Sequence, residues 1–251
     1  MSSTTDDLIT VVIPSSVIKS HPNTDIIDET LASIRTHLPT AKIILQLDGL
    51  REEQQDQIKA YNEYKQKILW HSLRVDQNIV PYVFTGLNHQ TDMLKATIDY
   101  IKTPYLLYVE QDAPLRADRK IDWQKIIDKL DDGTFYTVRF SHEEVIPTEH
   151  NYLMIGEAQD SFLKTMQWSQ RPHLSSTFYY KDVVIPSLPE KTFIEDDYYG
   201  KVNIDCQLPQ GWYKHRLAIY HPKGAIQRSY HTDGRAGGRK YTSDDIAWGL
   251  V

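Results

Sequence analysis

Four short apolar runs, each separated from the next by a stretch of helical period, constrain this chain more than any other feature. Ile9-Thr-Val-Val-Ile13 is β-branched and stopped by Pro14; Lys42 to Leu47 is closed by Asp48-Gly49; Val80 to Phe84 and Tyr105 to Val109 follow. Runs of this length without polar alternation suit strands buried on both faces, as in a parallel sheet. Between them, apolar residues recur at helical spacing: Ile27, Leu31, Ile34 and Leu38, ending at Pro39; then Ile58, Tyr61, Tyr64 and Ile68; then Met93, Leu94, Ile98 and Ile101. The alternation predicts an α/β chain with a Rossmann-like, doubly wound, mostly parallel sheet. In such sheets ligands collect beyond the carboxyl ends of the strands.

From about residue 130 the alternation breaks. Short aromatic strands are expected at Phe135 to Phe140, Thr177 to Tyr180 and Ala218 to Tyr220, among loops rich in Pro, Gly and Asp. This mixed, loop-rich C-terminal half is read as completing the same domain, because no repeat or linker marks a boundary.

Composition removes several function classes. With 40% hydrophobic and 25% charged residues among 251, the chain can bury a sizeable core and is neither disordered nor fibrous. A net charge of -6 gives no positive field to gather nucleic acid, so non-specific nucleic-acid binding is not expected. The single cysteine, Cys206, excludes an intramolecular disulfide and a cysteine-based zinc site and fits a cytoplasmic setting. Met1 to Asp7 carries no basic region or apolar run, and no stretch approaches the roughly 18 apolar residues of a transmembrane helix.

The chemistry concentrates at strand ends. Glu110 and Asp112 follow an apolar strand at i and i+2 and would share one face if the extended geometry continued. Two such oxygen donors suit Mg²⁺ or Mn²⁺, while an acidic turn capping the strand is the plainer reading. Asp48 ends the second strand at the same edge, either as a nucleoside contact or as half of an Asp-Gly turn. Glu195-Asp196-Asp197 places three acids side by side, as a general base or as the acidic first turn of a helix. A basic, glycine-rich stretch from Tyr220 to Lys240 holds Lys223, His231 and Arg235; it reads as a phosphate-covering lid or as a disordered tail.

Together these residues resemble the GT-A glycosyltransferases, in particular family 2-like members, over most of residues 8–200. Val11-Val-Ile-Pro14 looks like the opening strand, Leu47-Asp48-Gly49 like the nucleotide-contacting Asp, Glu110-Gln-Asp112 like the D-x-D motif, and Glu195-Asp196 like the E-D motif. The first position of the metal motif is Glu rather than Asp, Leu50-Arg51 stands where Ser-x-Asp is usual, and the Q-x-x-R-W signature of processive synthases is absent. The resemblance implies one GT-A domain over 1–251: a nucleotide-binding half (8–112), an acceptor-side half (113–220) and a basic lid or tail (221–251). It implies transfer from a nucleotide-diphosphate sugar, a UDP-sugar such as UDP-glucose, to an acceptor hydroxyl on a glycan, lipid or other molecule, with inversion. Asp112, Glu110 and His231 would hold Mn²⁺ or Mg²⁺. Pro14, Asp48, Asn88, Lys95, Gln111, Lys223 and Arg235 would contact the donor, and Asp196 would be the base, with Asp197 as alternate and Glu195 beside them. Two other functions share this fold class: a sugar-nucleotide pyrophosphorylase, and a non-catalytic carbohydrate-binding protein. The first should carry a glycine-rich loop after its first strand, and residues 14–20 contain no glycine.

Overall fold

A computed structural model describes residues 4–232. Nine strands form one sheet: β1 (Ile9–Ser15), β2 (Lys42–Leu47), β3 (Ile79–Val83), β4 (Tyr105–Tyr108), β5 (Thr137–Arg139), β6 (Met154–Gln159), β7 (Phe162–Thr165), β8 (His173–Ser176) and β9 (Leu217–Tyr220). Their order is β3-β2-β1-β4-β8-β5-β9-β7-β6. The first four are mutually parallel, and only β8 and β7 run against the rest. Eight helices connect them: α1 (Thr5–Leu8), α2 (Asp25–His37), α3 (Ile58–Arg74), α4 (His89–Thr97), α5 (Trp123–Asp131), α6 (Thr177–Tyr179), α7 (Ile194–Gln207) and α8 (Trp212–His215). The sheet is therefore mixed in its second half, and the α/β expectation holds.

The core forms where the apolar runs place it. Every residue of β1 and β4 is buried, as is all of β2 after Lys42. Helix α2 turns Ile27, Leu31 and Ile34 onto this sheet and leaves its acids at the N-terminal turn and Arg35 and His37 at the C-terminal turn, as the helix dipole favours. Among the described residues no helix is long and apolar enough to cross a membrane.

Three local readings are corrected. Strand β1 does not stop at Pro14 but runs to Ser15, because pairing with β4 ends at Val12 while pairing with β2 continues. Val12 accepts from Val109 on the β4 side, so the Pro14 nitrogen, two residues on, faces the side where no ladder bond is required. Thr177 to Tyr180 is helical. Strand β8 runs out of partner where Ser176 meets Tyr105, the first residue of β4, and Thr177 then bonds Pro104 and Thr103 through its amide and hydroxyl. Glu110 and Asp112 do not continue the strand; Ala113 N donates to Glu110 O at 3.1 Å, closing a tight turn.

Three imidazoles sit neutral in this interior. Burial pulls His21 down to about 3, His173 to about 4 and His142 to about 2. A histidine lowered on folding binds its proton more readily in the unfolded chain, so acid favours unfolding from about pH 6.5 down to each folded value, by up to about 1.4 kcal/mol per pH unit for each group. The urea midpoint should therefore fall steadily between pH 6.5 and 4. A flat profile would show that these rings accept protons without opening the core.

Candidate active site

A cleft of about 610 Å³ opens at the carboxyl edge of the parallel strands. Its floor is the end of β1 (Pro14, Ser15) and residues 16–18; its walls are Asp48 and Gly49 after β2, Leu87, His89 and Gln90 at the start of α4, the 110–112 turn after β4, and Phe193 and Glu195 at the start of α7. His231 closes one side.

Backbone-directed side chains hold these loops together. The Gln111 side chain turns inward, its Oε1 accepting from Ser15 Oγ at 2.7 Å and its Nε2 donating to Ser16 O at 3.3 Å, while Thr30 Oγ1 donates to Gln111 O at 2.7 Å. With its partner turned under the sheet, the 110–112 turn leaves Glu110 and Asp112 on the cleft. Gln90 spans the opposite corner: Nε2 donates to Glu110 Oε1 at 2.8 Å and Oε1 accepts from Ile194 N at 3.3 Å, next to Glu195.

Asp48 is 2% exposed, and its carboxylate accepts from Gly49 N at 2.8 Å, Asn88 N at 2.8 Å and His89 N at 2.9 Å. It thus anchors the 86–89 loop and satisfies amides at the opening of α4 that would otherwise lack acceptors. The bond to His89 supports a left-handed backbone at that residue (φ 54°), costly for a non-glycine and found where neighbouring structure over-determines it. The same loop presses on Gly49, where a Cβ would lie 2.2 Å from the Gly86 carbonyl carbon. Gly49→Ala is expected to cost about 2–4 kcal/mol by displacing this loop, read as a lower urea midpoint. Unchanged stability would mean the loop yields freely.

Seven of the sequence-derived candidates line the cleft: Pro14, Asp48, Glu110, Gln111, Asp112, Glu195 and His231. Others stand apart. Asp196 and Asp197 are exposed on the outer side of the first turn of α7, Lys223 is exposed away from the cleft, and Asn88 supplies its amide to Asp48. Lys95 ties α4 to a neighbouring turn, donating to Leu188 O at 3.1 Å and Pro189 O at 3.2 Å. Arg235 lies outside the described residues. Between 221 and 232 the basic stretch is pinned in place: Tyr230 Oη donates to Glu29 at 2.6 Å, Tyr230 N to Pro114 O at 3.2 Å, and Thr232 N to Asp112 O at 2.9 Å. This course brings His231 beside the 110–112 turn.

Sequence reasoning missed the aromatic corner. The Phe193 ring meets His89 edge-on at 5.2 Å and lies under the Arg51 guanidinium at 5.9 Å. No local motif marks it, since its parts come from three separate loops.

Two carboxylates and an imidazole are donor types that a divalent cation takes. Glu110, Asp112 and His231 line one cleft, and His231 Nδ1 is buried without a hydrogen-bond partner. Among the described residues no group of three or more His, Cys, Asp or Glu side chains is arranged to hold a metal ion, so a cation here would take at most two of these side chains, with ligand oxygens and water completing its shell.

No family model matches this chain, and no curated protein matches it. Solved structures do. S. aureus TarS 1-349 in complex with UDP-GlcNAc aligns with a TM-score of 0.54 at 14% identity, over 94% of this chain and 60% of that one. A mannosyltransferase from Pyrobaculum calidifontis in complex with GDP-Man and Mn²⁺ aligns at 0.52 and 11% identity, over 86% and 57%. A putative glucose-1-phosphate thymidylyltransferase from Bacillus anthracis, in complex with sucrose, aligns at 0.51 and 11% identity, over 96% and 94%. This chain spans about 60% of the length of the TarS structure it matches. Its fold is the GT-A-type fold of nucleotide-sugar transferases.

Proposed function

We propose that this chain transfers a sugar from a nucleotide-diphosphate donor, a UDP-sugar such as UDP-glucose, to an acceptor hydroxyl with inversion, using Mn²⁺ or Mg²⁺. The observation that carries the reading is the meeting of Glu110, Asp112 and His231 with Glu195 in one cleft at the carboxyl edge of the sheet. The mannosyltransferase of the same fold was solved with a nucleotide sugar and Mn²⁺, which supports it.

Glu110 and Asp112 would hold the cation together with diphosphate oxygens and water, with His231 beside them on the cleft, and the cation would neutralise charge on the departing diphosphate. The chain's own residues do the rest. Residues 15–18 and the Phe193–Arg51 corner offer the donor an apolar and aromatic seat. Glu195, part-buried on the cleft wall, takes the proton from the acceptor oxygen as it attacks the anomeric carbon from the side opposite the leaving group, and this inverts the centre. Gln90 bonds both Glu110 and the backbone beside Glu195, fixing the distance between leaving-group and acceptor sides.

A thermal-shift panel of nucleoside diphosphates and their sugars, with Mn²⁺ or with chelator, tests the reading. Stabilisation by UDP and a UDP-sugar that requires the cation is expected; equal stabilisation in chelator would remove the metal role. The near full-length match to a putative thymidylyltransferase favours a second reading, nucleotide-sugar synthesis from a sugar 1-phosphate and a nucleoside triphosphate. Release of pyrophosphate from that pair would establish it in place of transfer.

A further inference from the structure

Behind the 110–112 turn lies a group of buried polar side chains that the proposed transfer leaves unused. Tyr108, His173 and Arg139 are direct cross-strand neighbours on β4, β8 and β5, so they share one face of the sheet. His173 stacks on Tyr108 with ring centroids 5.5 Å apart and is itself satisfied by Tyr180 Oη and Arg171 O. Arg139 is not. It is 6% exposed, and only Nη2 has a partner, Gln167 Oε1 at 2.7 Å; Nε and Nη1 have none. Trp168 Nε1 is likewise buried without a partner among the described residues, and the buried Tyr108 hydroxyl and Gln170 amide meet one another.

These groups offer many donors and few acceptors. Burial pulls the Arg139 guanidinium down to about 9, and Arg171 pushes it the same way, against Glu143 and Glu195. Glu143 is already engaged by both Arg171 Nη1 and Nη2. Tyr108, at one end of this row, stands two residues before Glu110, which lines the cleft, so the row lies next to the 110–112 turn. An interior cation with two open donor positions is unfavourable unless an anion completes it. Planar forks of this kind match the oxygens of phosphate and carboxylate. Gln170, whose amide meets the Tyr108 hydroxyl, brings a further donor to this group.

We propose that Arg139, with Gln170 and Trp168, forms an oxyanion subsite beside the transfer cleft that takes the phosphate or carboxylate of an anionic acceptor. The word acceptor rests on the glycosyltransferase reading; the oxyanion site does not.

The test uses the full chain at constant ionic strength, with and without UDP and Mn²⁺. Melting temperatures are followed against inorganic phosphate, glucose 6-phosphate and glucuronate, with glucose as the neutral control. At least one oxyanion is expected to raise the melting temperature saturably where glucose does not. Arg139→Met should lose that response, and Arg139→Lys, which keeps the charge but not the fork, should weaken the affinity at least about tenfold. A response to glucose 6-phosphate assigns phosphate; one to glucuronate assigns carboxylate. The proposal fails if no oxyanion stabilises the wild type, if Arg139→Met responds as the wild type does, or, should that variant not fold, if Arg139→Lys binds with unchanged affinity. An oxyanion response without UDP binding would retire the donor reading and leave the subsite standing. UDP binding without an oxyanion response would do the reverse.

Discussion

Asp112→Ala is expected to lower turnover of the nucleotide sugar about 10³-fold, roughly 4 kcal/mol of transition-state stabilisation, and to abolish the Mn²⁺-dependent part of UDP stabilisation. The variant keeps the backbone bonds by which the C-terminal segment docks on this residue. Thr232 donates to Asp112 O from its amide at 2.9 Å and from its hydroxyl at 3.3 Å, bonds an alanine preserves. If UDP stabilised the variant and the parent equally, with or without chelator, the cation would have no seat on this turn.

The second large effect concerns the base. Glu195→Gln should slow transfer by about 10²–10⁴-fold while donor binding persists, the range expected when a positioned proton acceptor is removed. Asp196→Asn and Asp197→Asn should leave the rate near the parent value, because both side chains are exposed beyond the cleft. The sequence resemblance implies the opposite order, with Asp196 as the base. Single-turnover rates for the three variants decide between them, and a large loss confined to Asp196→Asn would return the role to that residue.

Much of the nucleotide-side half is legible in the sequence because its signals are local. The β-branched runs that become β1 and β2 and the stripe of α2 are written close together and fall within a residue or two of their elements, while the stripe of α3 begins with its helix at Ile58 and ends six residues before Arg74. Pro14 misleads, since only the ladder on its far side tells whether a missing amide matters. Thr177 to Tyr180 misleads in another way: an aromatic segment takes the conformation its neighbours Thr103 and Pro104 impose. Glu110 and Asp112 are readable as a pair, but the turn that presents them depends on Gln111 reaching Ser15 and Ser16, ninety-odd residues earlier. Arg139 gives no sequence signal at all, because a lone arginine in an apolar strand reads as a surface position until the sheet shows what lies on both sides.

One consequence follows from the course of residues 229–232, which return from the far end of the described chain to lie against Pro114 and Asp112. Pro14 and His231 face the same cleft, so the site joins β1 to a segment more than two hundred residues later in the chain. During synthesis the early sheet can collapse long before its ligand pocket has all its walls, and contacts so distant along the chain form slowly. A chain cut short before Ser229 would therefore fold around a cleft that lacks the wall His231 supplies.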